Sequence, residues 1–271
     1  MHTGPKQHDW KWPAVLNLTL GGMGAGHYLM GLLLVLPHTA PWAQPLTAAA
    51  RLLGPALVGA GLLALTLEAG HPSKSVYLLT NLRHSWMSRE ALAGGLFILA
   101  AGLDWLMPNP LLRGLAALAG FGFIVAQGML VPSASGVLTW NTPVVPWFFL
   151  TCGLATGIGA LLVVNSIWGA PSRVPLAWVA LIMALANGLV WLVYLNLPGE
   201  AFRRGIAPLR RVRHMALTLG FGHVLPMALL LAASTIAAPL AVPVAGLALI
   251  GGGAIQKYAF SLDGGTLRSV I

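Results

Sequence analysis

Eight apolar segments, each about long enough to cross a lipid bilayer, divide the sequence. They cover residues 13–36, 46–69, 88–107, 110–132, 143–168, 174–197, 210–234 and 238–261. A helix needs about 20 apolar residues to cross a hydrocarbon core of about 30 Å, whereas membrane strands alternate apolar with polar residues. Charged residues make up 8% of the 271 residues, against about 25% in soluble domains. The sequence predicts an all-α integral membrane protein, a single domain over residues 1–271 with eight transmembrane helices in two four-helix bundles.

The cations are distributed unevenly between the two predicted membrane faces. An even number of spans brings both termini to one face, and 12 of the 15 Lys and Arg residues fall on it. The other three are Arg51, Arg113 and Arg173. The positive-inside rule then predicts that the termini are cytoplasmic. A basic face also suits an acidic partner in either orientation, so the net charge of +9 requires no nucleic acid.

Several metal cofactors are excluded by composition. Cys152 is the only cysteine, so the chain cannot hold an iron–sulfur cluster or attach haem through a C-x-x-C-H motif. A b-type haem needs histidines on facing helices, and His27 and His223 both fall near mid-membrane. A di-haem cytochrome b therefore remains an alternative. More often, a membrane histidine is a hydrogen-bonded packing residue or a proton carrier.

Polar side chains from several segments share one depth, near the face that holds the termini. Counting about 1.5 Å per residue along each helix brings to this level Asn17, Glu68, Glu90, Gln127, Asn196, His214, Gln256 and Lys257. Such groups are costly in hydrocarbon and face a bundle interior or a wet cavity. The sequence therefore predicts a polar pocket at this level.

The glycines of the first segment support two interpretations. Helical spacing puts four residues on one stripe that is polar at each end and bare between: Asn17, Gly21, Gly24 and Tyr28. This stripe is a candidate slot for a flat ligand. Gly22 and Gly26 lie on the opposite side as a G-x-x-x-G pair, which is typical of close helix contact.

A polar loop, residues 70–88, separates the second and third segments. Residues 72–81 can form a short amphipathic helix in the membrane interface. Ser85 or Ser88 is expected to cap the third helix, with Glu90 in its first turn. Glu68 and Glu90 flank the loop at one membrane level, so each carboxylate has to be paired or protonated.

The loop and the first segment also carry a family resemblance. "HPSKSVYLLTNLRHSWMSREAL" resembles the H-L-G-x-P … S-W-x-S-R-E segment of NrfD/DmsC-type (polysulfide reductase-like) membrane subunits, and "GGMGAG" resembles their glycine-rich opening. The resemblance implies a membrane anchor of a molybdenum or tungsten oxidoreductase in a prokaryotic inner membrane. A partner ferredoxin-like subunit would hold iron–sulfur clusters, and a catalytic subunit the molybdenum or tungsten. This chain would bind no metal or haem and exchange electrons with menaquinone or ubiquinone.

The resemblance also suggests roles for individual residues. Glu90 matches the acid of S-R-E, and Glu68 stands where the DmsC branch has its histidine, so Glu68, Glu90 or His71 is the expected proton relay. A quinone needs an apolar slot, hydrogen-bond partners and an acid–base group. The quinone-binding candidates are Asn17, Gly21, Gly24, Tyr28, Glu68, Gln127 and His214. The candidates for partner docking are Lys74, Arg83, Trp86, Arg89, Arg203, Arg204, Arg210 and Arg211.

A small secondary transporter is the alternative from another class of protein. Such proteins usually have inverted repeats and a binding site at the midplane of the membrane. Here the polar residues gather near one face instead, and no internal repeat is obvious.

Overall fold

The computed structural model describes residues 10–35, 43–68, 81–133, 136–168, 176–235 and 240–265. Eight long helices occupy these residues. They are α1 Trp12–Leu34, α2 Ala43–Glu68, α3 Trp86–Leu106, α4 Pro110–Ser133, α5 Val145–Ile167, α6 Leu176–Leu195, α7 over residues 212–235 and α8 over residues 241–263. A short helix, Glu200–Gly205, and a 3₁₀ turn, Ala207–Arg210, connect α6 to α7.

Each predicted segment coincides with one of these helices, with ends that differ by a few residues. Five helices in the described part of the chain are long and apolar enough to cross a membrane, namely α2, α4, α5, α6 and α7. The other three carry buried polar side chains, including Glu90, Asp104 and Lys257. The all-helical membrane class is therefore confirmed, whereas the number of crossings stays a prediction.

Local signals start the helices where the sequence indicated. Ser85 is the N-cap of α3, because its hydroxyl oxygen accepts a hydrogen bond from the Ser88 backbone N–H at 3.3 Å. The side-chain oxygen of Asn109 accepts from the Leu111 N–H at 2.8 Å and starts α4 in the same way. The predicted interfacial helix at 72–81 lies outside the described residues, except for Asn81. His71, Lys74 and the side chain of Glu68 also lie outside them.

The long helices form two groups of four. In the first group α1 packs on α2 and α4, and α3 packs on both. In the second, α5 packs on α6 and α8, and α7 packs on both. The two groups meet chiefly where α1 crosses α5, and α5 is the most buried of the five apolar helices.

Glycines on both helices make this crossing close. A Cβ atom built on Gly26 would lie 2.1 Å from the Gly153 carbonyl oxygen, and one on Gly157 would lie 2.2 Å from the Gly26 carbonyl carbon. The G-x-x-x-G pair of α1 therefore meets a second pair, Gly153 and Gly157, on α5. The predicted close helix contact at Gly26 is confirmed.

Charged residues join three helices at the end of the first group far from Trp12. The buried carboxylate of Asp104 on α3 lies 2.7 Å from Arg51 Nη2 on α2 and 3.4 Å from Arg113 Nε on α4. Asp104 also accepts the Asn109 backbone N–H at 2.9 Å. Arg51 and Arg113, two of the three cations predicted for this face, therefore share one carboxylate.

Replacing Gly26 with alanine should destabilise the fold, since its Cβ would overlap the α5 backbone. We expect a loss of about 1–3 kcal/mol, the usual cost of overpacking, measured as a lower unfolding temperature in detergent. Gly122→Ala is the matched control, because nothing lies within 4 Å of its new Cβ. Equal unfolding temperatures for the two variants would contradict the close crossing.

Candidate functional site

Three buried side chains from α1, α3 and α4 form a hydrogen-bonded group, called here the acid cluster. Asn17 Nδ2 donates to Glu90 Oε1 at 2.8 Å, and Gln127 Nε2 donates to the same oxygen at 3.2 Å. Gln127 Nε2 also lies 3.3 Å from the Asn17 carbonyl oxygen. The structure thus brings together three of the residues that the sequence assigned to one level.

The acid cluster has more hydrogen-bond acceptors than donors. Asn17 Oδ1, Glu90 Oε2 and Gln127 Oε1 are all buried without a hydrogen-bond partner. Unpaired buried polar atoms are costly and rare in native proteins. The acid cluster can therefore accept further hydrogen bonds, from water or from another donor.

Lys257 on α8 lies beside the acid cluster. It is 1% exposed, and its ammonium donates to the Leu18 carbonyl oxygen at 2.6 Å. A Cβ on Gly22 would lie 2.6 Å from Lys257 Nζ and 3.4 Å from Gln127 Oε1. Glycine at position 22 therefore makes room for the ammonium, which is a near neighbour of the Gln127 amide.

A second polar group links α5, α6, α7 and α8. Asn187 Nδ2 donates to Gln256 Oε1 at 2.8 Å and to His223 Nε2 at 3.1 Å. Asn187 Oδ1 accepts from the Thr151 hydroxyl at 3.2 Å. His223 Nδ1–H donates to the Thr218 carbonyl oxygen at 2.7 Å. Both ring nitrogens of His223 are therefore occupied by protein groups.

This arrangement disfavours haem bound by His27 and His223. A haem ligand needs a free ring nitrogen, and His223 has none to offer here. His27 packs against α5, with Nδ1 at 3.4 Å from the Gly157 carbonyl oxygen. Within the described ranges, no group of three or more His, Cys, Asp or Glu residues is arranged to hold a metal.

Part of α7 is wound as a π-helix, residues Ala216–Val224, and α8 ends in another, Ala259–Asp263. Within the first of these segments the His223 ring donates to the Thr218 carbonyl oxygen, and Pro226, just beyond it, has no N–H to donate to the preceding turn. Such π segments are frequent at functional sites. The segment in α7 begins just after His214, and the segment in α8 contains Asp263.

A groove of about 700 Å³ lies between α1, α7 and α8. Its walls are mostly apolar, and its lining residues are Trp12, Val15, Leu16, Thr19, Arg213, His214, Leu217, Ala254, Ile255, Tyr258, Ala259 and Asp263. His214 and Asp263 form a pair in it, with Nε2 and Oδ2 3.0 Å apart. The groove thus combines an apolar slot with an acid–base pair, which is typical of ligand sites.

The His214–Asp263 pair suits proton exchange with a bound ligand. When Nε2–H donates to Asp263, the neutral ring keeps a lone pair on Nδ1. That Nδ1 atom is buried and has no partner. A carboxylate that is hydrogen-bonded to one ring nitrogen orients the other nitrogen as a base.

The glycine stripe of α1 faces the interior of the first group of helices. A Cβ on Gly21 would meet the Phe123 ring at 2.7 Å, and one on Gly24 would meet the Gly54 carbonyl oxygen at 2.5 Å. Tyr28 packs edge-on against Phe97. Phe123 and α2 therefore fill the space expected for a flat ligand. The single predicted pocket is divided into two, with the acid cluster and the groove on opposite faces of α1.

The described residues of the polar loop close the turn that precedes Glu90. Arg89 donates to the carbonyl oxygens of Leu82 and Arg83 at 2.9 and 2.7 Å. Its guanidinium carbon also lies 4.2 Å from the Trp86 ring centre. Arg89 and Trp86 therefore shape the loop itself. The basic residues between α6 and α7 are exposed, namely Arg203, Arg204, Arg210 and Arg211.

Among the groove residues that the sequence analysis did not assign to a site, Asp263 and Thr19 carry polar groups that matter here. Asp263 follows the last predicted segment, and the π segment that carries α8 to it has no signature in hydrophobic periodicity. Thr19 was overlooked because a membrane threonine usually bonds to its own helix. The signal that could have identified Asp263 is the rarity of acidic residues, since the chain has only six.

The fold and the site define an all-helical membrane subunit with buried polar clusters and an apolar groove. The family described as DMSO reductase anchor subunit (DmsC) matches residues 1–244, and the chain belongs to this family. Membership indicates a membrane anchor subunit of a DMSO reductase-type complex. No curated protein matches the chain. Lys257 and Asp263 lie beyond the matched residues.

Glu90→Leu should destabilise the protein, because Asn17 and Gln127 would each lose a buried acceptor. We expect a cost of about 1–3 kcal/mol, measured from unfolding in detergent. Glu90→Gln keeps an acceptor oxygen and should be milder. Glu200→Leu is the control, since that side chain is 80% exposed. If Glu90→Leu and Glu200→Leu unfold alike, the acid cluster contributes nothing to the fold.

Proposed function

We propose that this chain is the quinone-reacting membrane subunit of a molybdenum- or tungsten-dependent oxidoreductase. It exchanges electrons between the quinone pool and a ferredoxin-like iron–sulfur subunit docked on its basic face. The substrate of the complex is transformed on a separate catalytic subunit. The observation that carries the proposal is the groove, because it joins an apolar slot to the His214–Asp263 pair. Family membership adds the expected partners.

The groove residues supply the acid–base half of quinone chemistry. Oxidation of one quinol releases two electrons and two protons, and reduction of one quinone takes up the same numbers. The electrons pass to or from the iron–sulfur subunit. His214 exchanges a proton at Nδ1 with the quinone oxygen, and Asp263 stabilises the imidazolium that forms. The apolar walls, such as Leu16 and Ile255, hold the ring and the isoprenoid tail.

Glu90 is proposed as a buried proton relay behind the groove. It carries an unpaired oxygen, and Gln127, which donates to its other oxygen, lies near Lys257 on α8. Lys257 follows Ala254 and Ile255, which line the groove. Lys257 therefore lies between the groove and the acid cluster. Asn17 and Gln127 orient Glu90, while Gly21, Gly24 and Tyr28 shape the helix contacts around it.

The basic face is proposed to be cytoplasmic and to bind the iron–sulfur partner. Exposed arginines lie at its surface between α6 and α7, including Arg203, Arg210 and Arg211. An acidic protein would be attracted to this charge. The eight helices would then cross the membrane with both termini on the partner's side. A transporter would instead need a polar site at the midplane.

His214→Gln should abolish the proton acceptor while leaving a side chain of similar size in the groove. In the assembled complex we expect quinol-dependent turnover, or quinone reduction, to fall at least tenfold. Turnover with reduced viologen, which supplies electrons to the partner subunits directly, should not change. The measurement compares both rates in the same preparation.

His84→Gln is the matched control, because His84 is exposed on the same face and outside the groove. It should keep both rates. Full quinol turnover in His214→Gln would contradict the assignment of the groove. Glu90→Gln in the same assay tests the relay separately, since it keeps the hydrogen bonds to Asn17 and Gln127.

Replacing Arg203, Arg210 and Arg211 with glutamine should weaken partner binding about tenfold and lower the salt concentration at which the partner dissociates. Arg204 is left intact, because it pairs with Glu200 on the same short helix. Co-purification over a salt series measures the effect. Arg173→Gln, assigned by sequence to the opposite face, is the control. Unchanged binding in the triple variant would exclude this docking surface.

A further inference from the structure

Thr19 differs from four other threonines inside the long helices of the described part of the chain. Thr66, Thr151, Thr156 and Thr218 each donate their hydroxyl to the carbonyl oxygen four residues earlier, at 2.8 to 2.9 Å. This bond is the usual way to satisfy a hydroxyl in a membrane helix. Thr19 Oγ1 makes no such bond and has no hydrogen-bond partner, although the residue is only 8% exposed.

Thr19 is one of the residues that line the groove. Trp12, Val15, Leu16 and Thr19 line one wall at the spacing of a single helical face. Thr19 is seven residues beyond Trp12, so it lies about 10 Å farther along α1. His214 and Asp263 instead lie near the helix ends that adjoin the basic connection from Glu200 to Arg210. The groove therefore has a polar group at each end and apolar walls between them.

Each end of the groove also has an unpaired buried atom. These atoms are His214 Nδ1, at the end near the basic connection, and Thr19 Oγ1, at the end farther along α1. A buried polar atom without a partner is costly unless a ligand or water satisfies it. A single ligand that satisfies both atoms must carry two polar atoms with an apolar part between them, and a quinone ring with its two opposite oxygens meets this description.

We propose that Thr19 is the second hydrogen-bond partner of the quinone head group, and that the ring lies along α1 between Thr19 and His214. This inference rests on the proposed function of the groove. A threonine hydroxyl both donates and accepts, so it can bind the carbonyl of a quinone and the O–H of a quinol. Thr19 thereby orients the ring, and His214 exchanges the proton at the other oxygen.

The test uses the assembled complex and the fluorescent quinol analogue 2-heptyl-4-hydroxyquinoline N-oxide, whose two oxygens lie across one ring. Thr19→Val keeps the shape of the side chain and removes the hydroxyl. We expect its dissociation constant to rise about tenfold, the effect of losing one good hydrogen bond. The KM for quinol should rise similarly, while viologen-dependent turnover stays unchanged. Thr19→Ser, which restores the hydroxyl, should bind within about twofold of the wild type.

Thr66→Val is the matched control, since its hydroxyl already bonds within its own helix. It should leave binding of the analogue unchanged. If Thr19→Val misfolds, Thr19→Ser and Thr19→Ala provide the same comparison of hydroxyl with no hydroxyl. If the wild-type complex binds the analogue and these variants bind it equally well, the role of Thr19 is overturned. The proposed function of the groove is then unaffected. Failure of the wild-type complex to bind the analogue or react with quinol overturns the proposed function as well.

Discussion

The close crossing of α1 and α5 is the contact on which the rest of the arrangement depends. Gly26 and Gly157 let the two backbones touch, and this crossing is the most extensive contact between the two groups of helices. In lipid, helices gain little from burying apolar surface against each other, so close van der Waals packing between small residues holds them. Because α1 packs against α5, it also contacts α8, and the groove lies beside this contact.

Helix α1 separates two kinds of chemistry by presenting different faces to different neighbours. The side that bears Asn17 meets α3 and α4 and holds a carboxylate in a dry, hydrogen-bonded setting. The side that bears Leu16 and Thr19 forms a wall of the groove. Lys257 approaches between them and bonds to the α1 backbone. One helix thus keeps a buried acid close to the groove and separated from it.

Hydropathy and length were sufficient to predict the helices, because each apolar segment carries its own signal. Depth counting also predicted that Asn17, Glu90 and Gln127 share a level, since the helices start near recognisable breaks. Counting residues gives the depth of a side chain along its helix, but it does not show which helix that side chain contacts. His214 was therefore grouped with the acid cluster, although α1 lies between them. The contacts of Gly21 and Gly24 depend on Phe123 and Gly54, which sequence spacing cannot pair, and the π segment of α7 departs from the assumed 100° per residue.

The buried ammonium of Lys257 has a consequence for biosynthesis. A lone lysine is expensive to transfer into hydrocarbon, and α8 also carries Gln256 close by. Helix α8 is therefore a poor substrate for the insertion machinery unless α1 is already present, so that the Leu18 carbonyl oxygen can accept a hydrogen bond from Lys257. The wall of the groove that α8 supplies would then form only after α1 is in place.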